Sequence, residues 1–303
     1  MHRIIKTVNK YKYLYLLLMP GMILFFIYSY IPMGWLVMAF QDFRIVDGIF
    51  GSRFVGFDNF IRFFQANNFW TLMRNTVVIS FSKLLFGFPV PIIFAILLSE
   101  VEGKGYRKII QSVCSFPHFL SWVIISGLMV NLFSPSVGII NIFLKAVGLP
   151  VIDILTKTTA FVPLLVTSSI WRNFGWNSII YLAAISGLDP QLYEAASIDG
   201  AGHFRKVWSI TLPGIMPVIM ILLFLDLGRI MNADFTQIVS MVGNYTLLYS
   251  TGDVIDTFVY RAGILQFNYS FATAANLFKG VLGVSLVLLA DRLAKMAGQE
   301  GIW

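Results

Sequence analysis

Long apolar runs separated by short polar segments dominate the chain. Leu14 to about Phe40 is almost free of charge, and similar stretches recur at about 72–98, 109–133, 160–185, 212–231 and 271–291. A membrane-crossing helix needs roughly 20 consecutive, mostly apolar residues. The pattern therefore predicts an all-α membrane protein with six transmembrane helices, a single domain over residues 1–303. Pro89 and Pro91 interrupt the second run and Pro117 the third, which membrane helices tolerate when neighbours satisfy the freed backbone groups. The first run follows a basic start from His2-Arg3 to Lys12. It is too long for a signal-peptide core and lacks a small-residue cleavage site, so it is expected to remain as a span.

Composition narrows the class. The 303 residues are 57% hydrophobic and 12% charged, against about 25% charged in soluble domains, which excludes an ordinary soluble enzyme. One cysteine, Cys114, and three scattered histidines, His2, His118 and His203, provide neither a thiolate cluster nor a paired-histidine metal motif. No metal site and no catalytic residue are expected. The net charge of +7 is dispersed and reads as membrane topology rather than nucleic-acid binding. With the N-terminus inside, the segments 1–13, 99–108, 186–211 and 292–303 hold 11 Lys/Arg in 61 residues. The segments 41–71, 134–159 and 232–270 hold 6 in 96. The positive-inside rule then places both termini and the 186–211 loop in the cytoplasm of a multi-pass cell-membrane protein.

That loop carries the most structured signal. Asp189-Pro190 is a strong helix start, with Asp as cap and Pro at the first helical position. The helix runs to Ile198 and meets Asp199-Gly200, where glycine permits a turn. A second helix with Phe204, Val207, Trp208 and Thr211 at helical spacing is predicted to end at Leu212-Pro213. On these grounds alone, a docking knob and a simple linking hairpin are equally good readings.

Glu194-Ala195-Ala196, three residues, Gly200, nine residues, then Ile210-x-Leu212-Pro213 resembles the EAA loop of permease subunits in binding-protein-dependent ATP-binding cassette (ABC) importers. All seven specified positions match at the right spacing, in the loop before the second-to-last span. Gly56-Phe57-Asp58-Asn59-Phe60, Asn75-Thr76, Phe116-Pro117 with Ser121, Gly138 with Asn141, and Gly148-Leu149-Pro150 are similar to carbohydrate permeases, especially the polysaccharide and oligosaccharide group akin to maltose and lipo-oligosaccharide permeases. The resemblance implies a type I importer (MetI-like) permease core, without the extra N-terminal spans common in maltose-type permeases. It also implies a second, related permease chain, two ATP-binding cassette subunits that bind ATP and Mg²⁺, and an extracytoplasmic solute-binding protein. In this reading Glu194 is the polar contact to the ATPase, Ala195 and Ala196 allow close approach, and Asp199-Gly200 makes the bend. Ile210, Leu212 and Pro213 lead into the next span. The chain has no phosphate-binding loop of its own, and Gly200-Ala201-Gly202 lacks the third glycine of a dinucleotide loop because Arg205 occupies that place.

Charges within the spans are costly and mark interior faces or pathways. Lys83, Arg172, Arg229 and Lys279 stand against one acid, Asp226. Asp226 and Arg229, three apart, are expected to pair locally, whereas Lys83, Arg172 and Lys279 have no evident partner. For Lys83 and Lys279, snorkelling to an interface and bonding helix-terminal carbonyls are both open. The resemblance places Ser169, Arg172, Asn173 and Trp176, with Asn232, along the substrate pathway, and Asn177 on the same polar face and the in-span Arg229 are expected beside them; helix packing through interhelical hydrogen bonds is the other reading. The excess of cations favours an acidic oligosaccharide, such as a uronate, over a neutral one. Residues 253–261 read as an interfacial helix, either a contact for the solute-binding protein or a segment lying on the membrane. An ion-coupled carrier and a membrane-embedded lipid enzyme are the alternative classes. The first usually needs an intramembrane carboxylate relay, and the second needs clustered His/Asp/Glu.

Overall fold

The structure is a computed structural model that describes residues 10–243 and 248–296, apart from the side chains of 293 and 294. The predicted basic start at His2 and Arg3 and the end of the predicted C-terminal tail lie outside the described residues. In chain order the main helices are α1 (Lys12–Phe40), α2 (Asp58–Phe64), α3 (Phe69–Gly87), α4 (Pro89–Ser99), α5 (Lys104–Ser115), α6 (Trp122–Phe133) and α7 (Ile139–Ala146). They continue with α8 (Thr158–Ser186), α9 (Pro190–Ile198), α10 (His203–Gly228), α11 (Phe235–Val242), α12 (Ile255–Tyr260) and α13 (Tyr269–Met296). A two-residue antiparallel ladder, β1 (Gln41–Asp42) with β2 (Arg53–Phe54), pairs Gln41 with Phe54.

Among the described residues, four helices are long and apolar enough to cross a bilayer: α1, α3 continuing into α4, α10 and α13. A fifth is reached if the bent pair made by α5 and α6 counts as one span. The predicted third span is therefore not one straight helix. A 3-10 turn at Phe116–Phe119 carries Pro117, and the chain bends by 98° before α6. Proline removes a backbone donor and its ring crowds the preceding turn; Ser121 restarts the chain as a cap, its hydroxyl accepting from Ile124 N at 3.3 Å. The predicted fourth span is α8, whose 29 residues reach about 44 Å at 1.5 Å each. It falls short as an apolar helix because Ser168, Ser169, Arg172, Asn173, Asn177 and Ser178 interrupt its apolar sequence.

Contacts divide the chain into two units. The first comprises the chain to Ala66 with Val259–Phe278. Here Asn59 donates to the carbonyls of Ala39 (3.0 Å) and Gln41 (2.9 Å), which pins the end of α1 to the ladder. Phe63 is fully buried and meets Phe271 and Phe278 edge-on at 6.1 and 5.8 Å.

The second unit comprises Asn67–Phe258 with Lys279 onward. One core joins Ile79, Trp122, Ile125, Phe161, Leu164 and Leu165 of the long helices to Ala233, Ile238, Val242, Leu248 and Val254 of the segment after α10. A second gathers Ile92, Ala95, Tyr181 and Ile215 from α4, α8 and α10. The expected interfacial helix at 253–261 is thus corrected: Asp253, Val254, Ile255 and Thr257 are buried. Asn75 donates to Asp253 O (3.0 Å) and Ser250 O (3.2 Å), and Ile255 N donates to Thr76 Oγ1 (3.1 Å). These bonds satisfy backbone groups that burial would otherwise leave unpaired.

Candidate functional site

A cavity of about 300 Å³ opens within the second unit. Ser169, Asn173 and Asn177 repeat every four residues along α8 and so share one helix face. Asp226 near the end of α10 and Arg229 and Asn232 in the turn beyond it complete the polar wall, and Lys83 and Ser80 come from α3. Phe88, Phe174 and Tyr181 add aromatic surface. Five of the seven predicted pathway residues line this space: Ser169, Asn173, Asn177, Arg229 and Asn232.

Arg172 and Trp176 are placed elsewhere. Arg172 Nε donates to Leu120 O at 3.1 Å and Nη1 to Asn173 Oδ1 at 3.3 Å, with the guanidinium 4.9 Å from the Trp122 ring. Trp122 in turn donates to Asp234 Oδ2 at 2.8 Å. Trp176 stacks on His118, the rings 4.8 Å apart and nearly parallel, and His118 Nδ1 is 3.1 Å from Asn173 Oδ1. Both residues are on the α8 polar stretch, but they brace the bend at Pro117.

The in-span cations have partners that spacing did not reveal. Lys83 Nζ donates to Ala233 O at 2.8 Å and to Gln237 Oε1. Gln237 Nε2 passes the chain on to Leu165 O (2.8 Å) and Ser168 Oγ (3.0 Å). Lys279 is ion-paired with Asp256 and donates to Asn232 Oδ1 at 3.3 Å. The expected Asp226–Arg229 pair does not form: among the described residues no ion pair within 4.0 Å joins them, and both side chains line the cavity. Residues 229–231 leave the helix in a turn, Arg229 N bonding to Asp226 O at 3.0 Å, so the i,i+3 geometry of a continuous helix is lost. The cavity contribution of Lys83 has a sequence signal, since an in-span cation marks an interior face; those of Ser80, Phe88, Phe174 and Tyr181 have none.

The 186–211 loop folds as its residues dictate. Asp189 Oδ1 accepts from Gln191 N at 2.9 Å, and Pro190 opens α9. At the other end, Ala201 N bonds to Ala196 O (2.8 Å) and Gly200 N to Ser197 O (3.1 Å), the paired bonds of a glycine-terminated helix. Gly200 has φ +74°, a conformation that costs other residues about 1–2 kcal/mol. Glu194, Ala195, Asp199 and Pro213 are exposed, Ala196, Ile210 and Leu212 half-buried. Tyr193 OH meets the buried Thr211 Oγ1 at 2.9 Å, Lys206 Nζ donates to Ser197 Oγ at 2.7 Å, and His203 Nδ1 lies 2.9 Å from Glu100 Oε2. Leu192, Ile198, Phe204 and Trp208 leave an apolar patch open, Ile198 being 88% exposed and Phe204 78%.

The helix predicted to stop at Leu212-Pro213 instead continues to Gly228. A π turn at Val207–Thr211 precedes Pro213. Proline cannot donate to the carbonyl four residues back, and the wider π turn absorbs that mismatch. One rigid rod therefore carries the loop's second half into the membrane-length helix.

Residues 4–299 match the family described as "Binding-protein-dependent transport system inner membrane component". "Polygalacturonan/rhamnogalacturonan transport system permease protein YteP" of Bacillus subtilis (strain 168) is 43% identical, covering 99% of this chain and 92% of YteP. Protein LplB of the same organism is 41% identical over 96% of this chain and 91% of LplB. A chain in the crystal structure of a bacterial ABC transporter involved in the import of the acidic polysaccharide alginate is 40% identical, with a TM-score of 0.86 over 97% of this chain and 99% of the other. Matched almost end to end, and built around an exposed helix, a left-handed glycine and a continuous rod into the membrane, the chain belongs to the family of binding-protein-dependent transport system inner membrane components.

Proposed function

We propose that this chain is one of two related permease subunits of an ABC importer for acidic oligosaccharides, crossing the membrane six times with both termini in the cytoplasm. In this reading α1, α3 with α4, the bent α5–α6 pair, α8, α10 and α13 are the six spans, and α8 crosses with its polar face turned to the pathway. The 186–211 loop seats in a cytoplasmic ATPase, with Glu194 as its polar contact and Ala195 and Ala196 allowing close approach. Two ATPase subunits bind ATP and Mg²⁺, and a solute-binding protein delivers cargo from outside. Ser169, Asn173, Asn177, Arg229 and Asn232 face the sugar.

The observation that carries the cargo assignment is the cavity's lining: amides and hydroxyls for sugar hydroxyls, aromatic faces for ring surfaces, and two cations against one carboxylate. Cations partly enclosed by protein attract anions more strongly than they do in bulk solvent. The names of the relatives agree, YteP with polygalacturonan and rhamnogalacturonan and the solved transporter with alginate, crystallised with an alginate pentasaccharide-bound periplasmic protein. The test is uptake by proteoliposomes holding the full complex and its solute-binding protein. ATP-dependent accumulation of a labelled oligogalacturonate or oligoalginate, resistant to competition by a neutral oligosaccharide of equal length, is expected. Uptake without ATPase subunits, or a preference for the neutral sugar, overturns the reading.

A further inference from the structure

We propose that Lys83 is a specificity-determining residue that binds a sugar carboxylate in the cavity and so selects anionic over neutral cargo. The inference rests on the acidic-oligosaccharide reading above and goes one step beyond it, to a single group on α3 outside the α8 and α10 faces.

Three cations come close to the space, and their surroundings differ. Lys279 is already neutralised by ion pairing with Asp256, the two side chains 15% and 12% exposed. Arg229 shares its wall with Asp226 three residues away. Lys83 lines the same cavity, and the atoms its ammonium bonds are neutral acceptors, the Ala233 carbonyl and the Gln237 side-chain oxygen; the Asp234 carboxylate acts on it only through space, its own oxygens bonded to Trp122 Nε1 and Gln237 N. An ammonium has three donors, so two such bonds leave one for a ligand. A charge held inside a protein with no carboxylate bonded to it is costly, and a carboxylate arriving in the cavity supplies that direct partner through a charge-assisted hydrogen bond. The Gln237 amide is fixed from behind by Leu165 O and Ser168 Oγ, which holds the ammonium at the wall. A neutral sugar gains none of this.

The test measures the ratio of uptake for an oligogalacturonate and its fully methyl-esterified form in wild type, Lys83→Gln and Lys83→Arg complexes. The same solute-binding protein serves all three, so a changed ratio originates in the permease. Lys83→Gln is expected to lower the acid-to-ester ratio roughly ten- to a hundredfold while leaving ester uptake near wild type. Lys83→Arg, which keeps the charge, retains most of the preference. An unchanged ratio in Lys83→Gln, or an equal fall for both sugars, overturns the proposal while leaving the acidic-cargo reading intact. Absence of acid uptake by wild type overturns that reading and the proposal with it. Should Lys83→Gln fail to assemble, the arginine variant decides: loss of its acid preference contradicts a role based on charge.

Discussion

Gly175 is a point of close backbone contact between the bent pair and α8, and adding one methyl group there is expected to damage the fold more than its size implies. A Cβ built at Gly175 falls 2.2 Å from Cys114 O and 2.3 Å from Cys114 C. Real contacts of this kind do not go below 3.0 Å, so α5 and α8 must part by about 0.8 Å. The obstacle is backbone, which has no rotamer to yield. The same displacement stretches the bond from Gln111 Nε2 to Gly175 O from 2.8 Å to about 3.6 Å, beyond hydrogen-bond range. Overpacking costs about 1–3 kcal/mol and the lost bond about 1. Gly175→Ala should therefore destabilise the second unit by about 2–4 kcal/mol. Gly127→Ala on α6, where the new Cβ meets nothing within 4 Å, is the control and should be neutral or stabilising by up to about 1 kcal/mol. The assay is the thermal midpoint of the detergent-solubilised protein followed by size-exclusion fluorescence. Equal midpoints for the two variants would refute the close backbone packing of α5 on α8.

Other substitutions probe other links. Ala195→Trp changes an exposed position and so should spare the fold, but it fills the surface proposed to seat in the ATPase; uptake should fall at least tenfold while membrane insertion, measured by immunoblot, is unchanged. Gly200→Ala meets no atom within 4 Å, so its cost is the strain of φ +74° alone, about 1 kcal/mol, seen as partial loss of ATPase stimulation by loaded solute-binding protein. Asn141→Leu removes bonds to Phe133 O, Ser134 O and Ile152 O and from Ile152 N, and should open α7 to proteolysis at a cost of several kcal/mol. The Thr156 hydroxyl, bonded to Asp153, holds that carboxyl below its ordinary value of 3.8. The resulting stabilisation is present above the ordinary value and lost only as pH falls through the depressed one. Thr156→Val should bring the titration up towards 3.8, read by carboxyl ¹³C shifts against pH.

The helices and the loop at 186–211 were legible because their signals are local. Asp189-Pro190 caps α9 and Gly200 stops it, each through atoms within a few residues. The same holds for the polar stripe Ser169, Asn173 and Asn177, whose spacing of four is visible in the sequence. Where two rules competed, sequence reasoning fell short. Pro117 bends its segment by 98°, whereas Pro213 is absorbed by a π turn, and nothing in either neighbourhood distinguishes the outcomes beforehand. The segment after α10 was harder still. Its place in the core depends on Asn75 reaching Asp253 and Lys83 reaching Gln237, across 178 and 154 residues, and periodicity carries no such information. Asn59, Asn75 and Asn141, singled out as motif positions, all prove to be side chains that tie backbone carbonyls at element ends and in loops, so their role in the structure is architectural.

The central claim is that the Pro190–Ile198 helix is a cytoplasmic plug for a separate motor. A photo-reactive amino acid at Ile198, the most exposed apolar position of that helix, tests it in intact membranes. Irradiation of the assembled complex should yield an adduct with the ATPase subunit, formed from the cytoplasmic side. Labelling of the same position by a membrane-impermeant reagent from outside, with no ATPase adduct, would contradict the account.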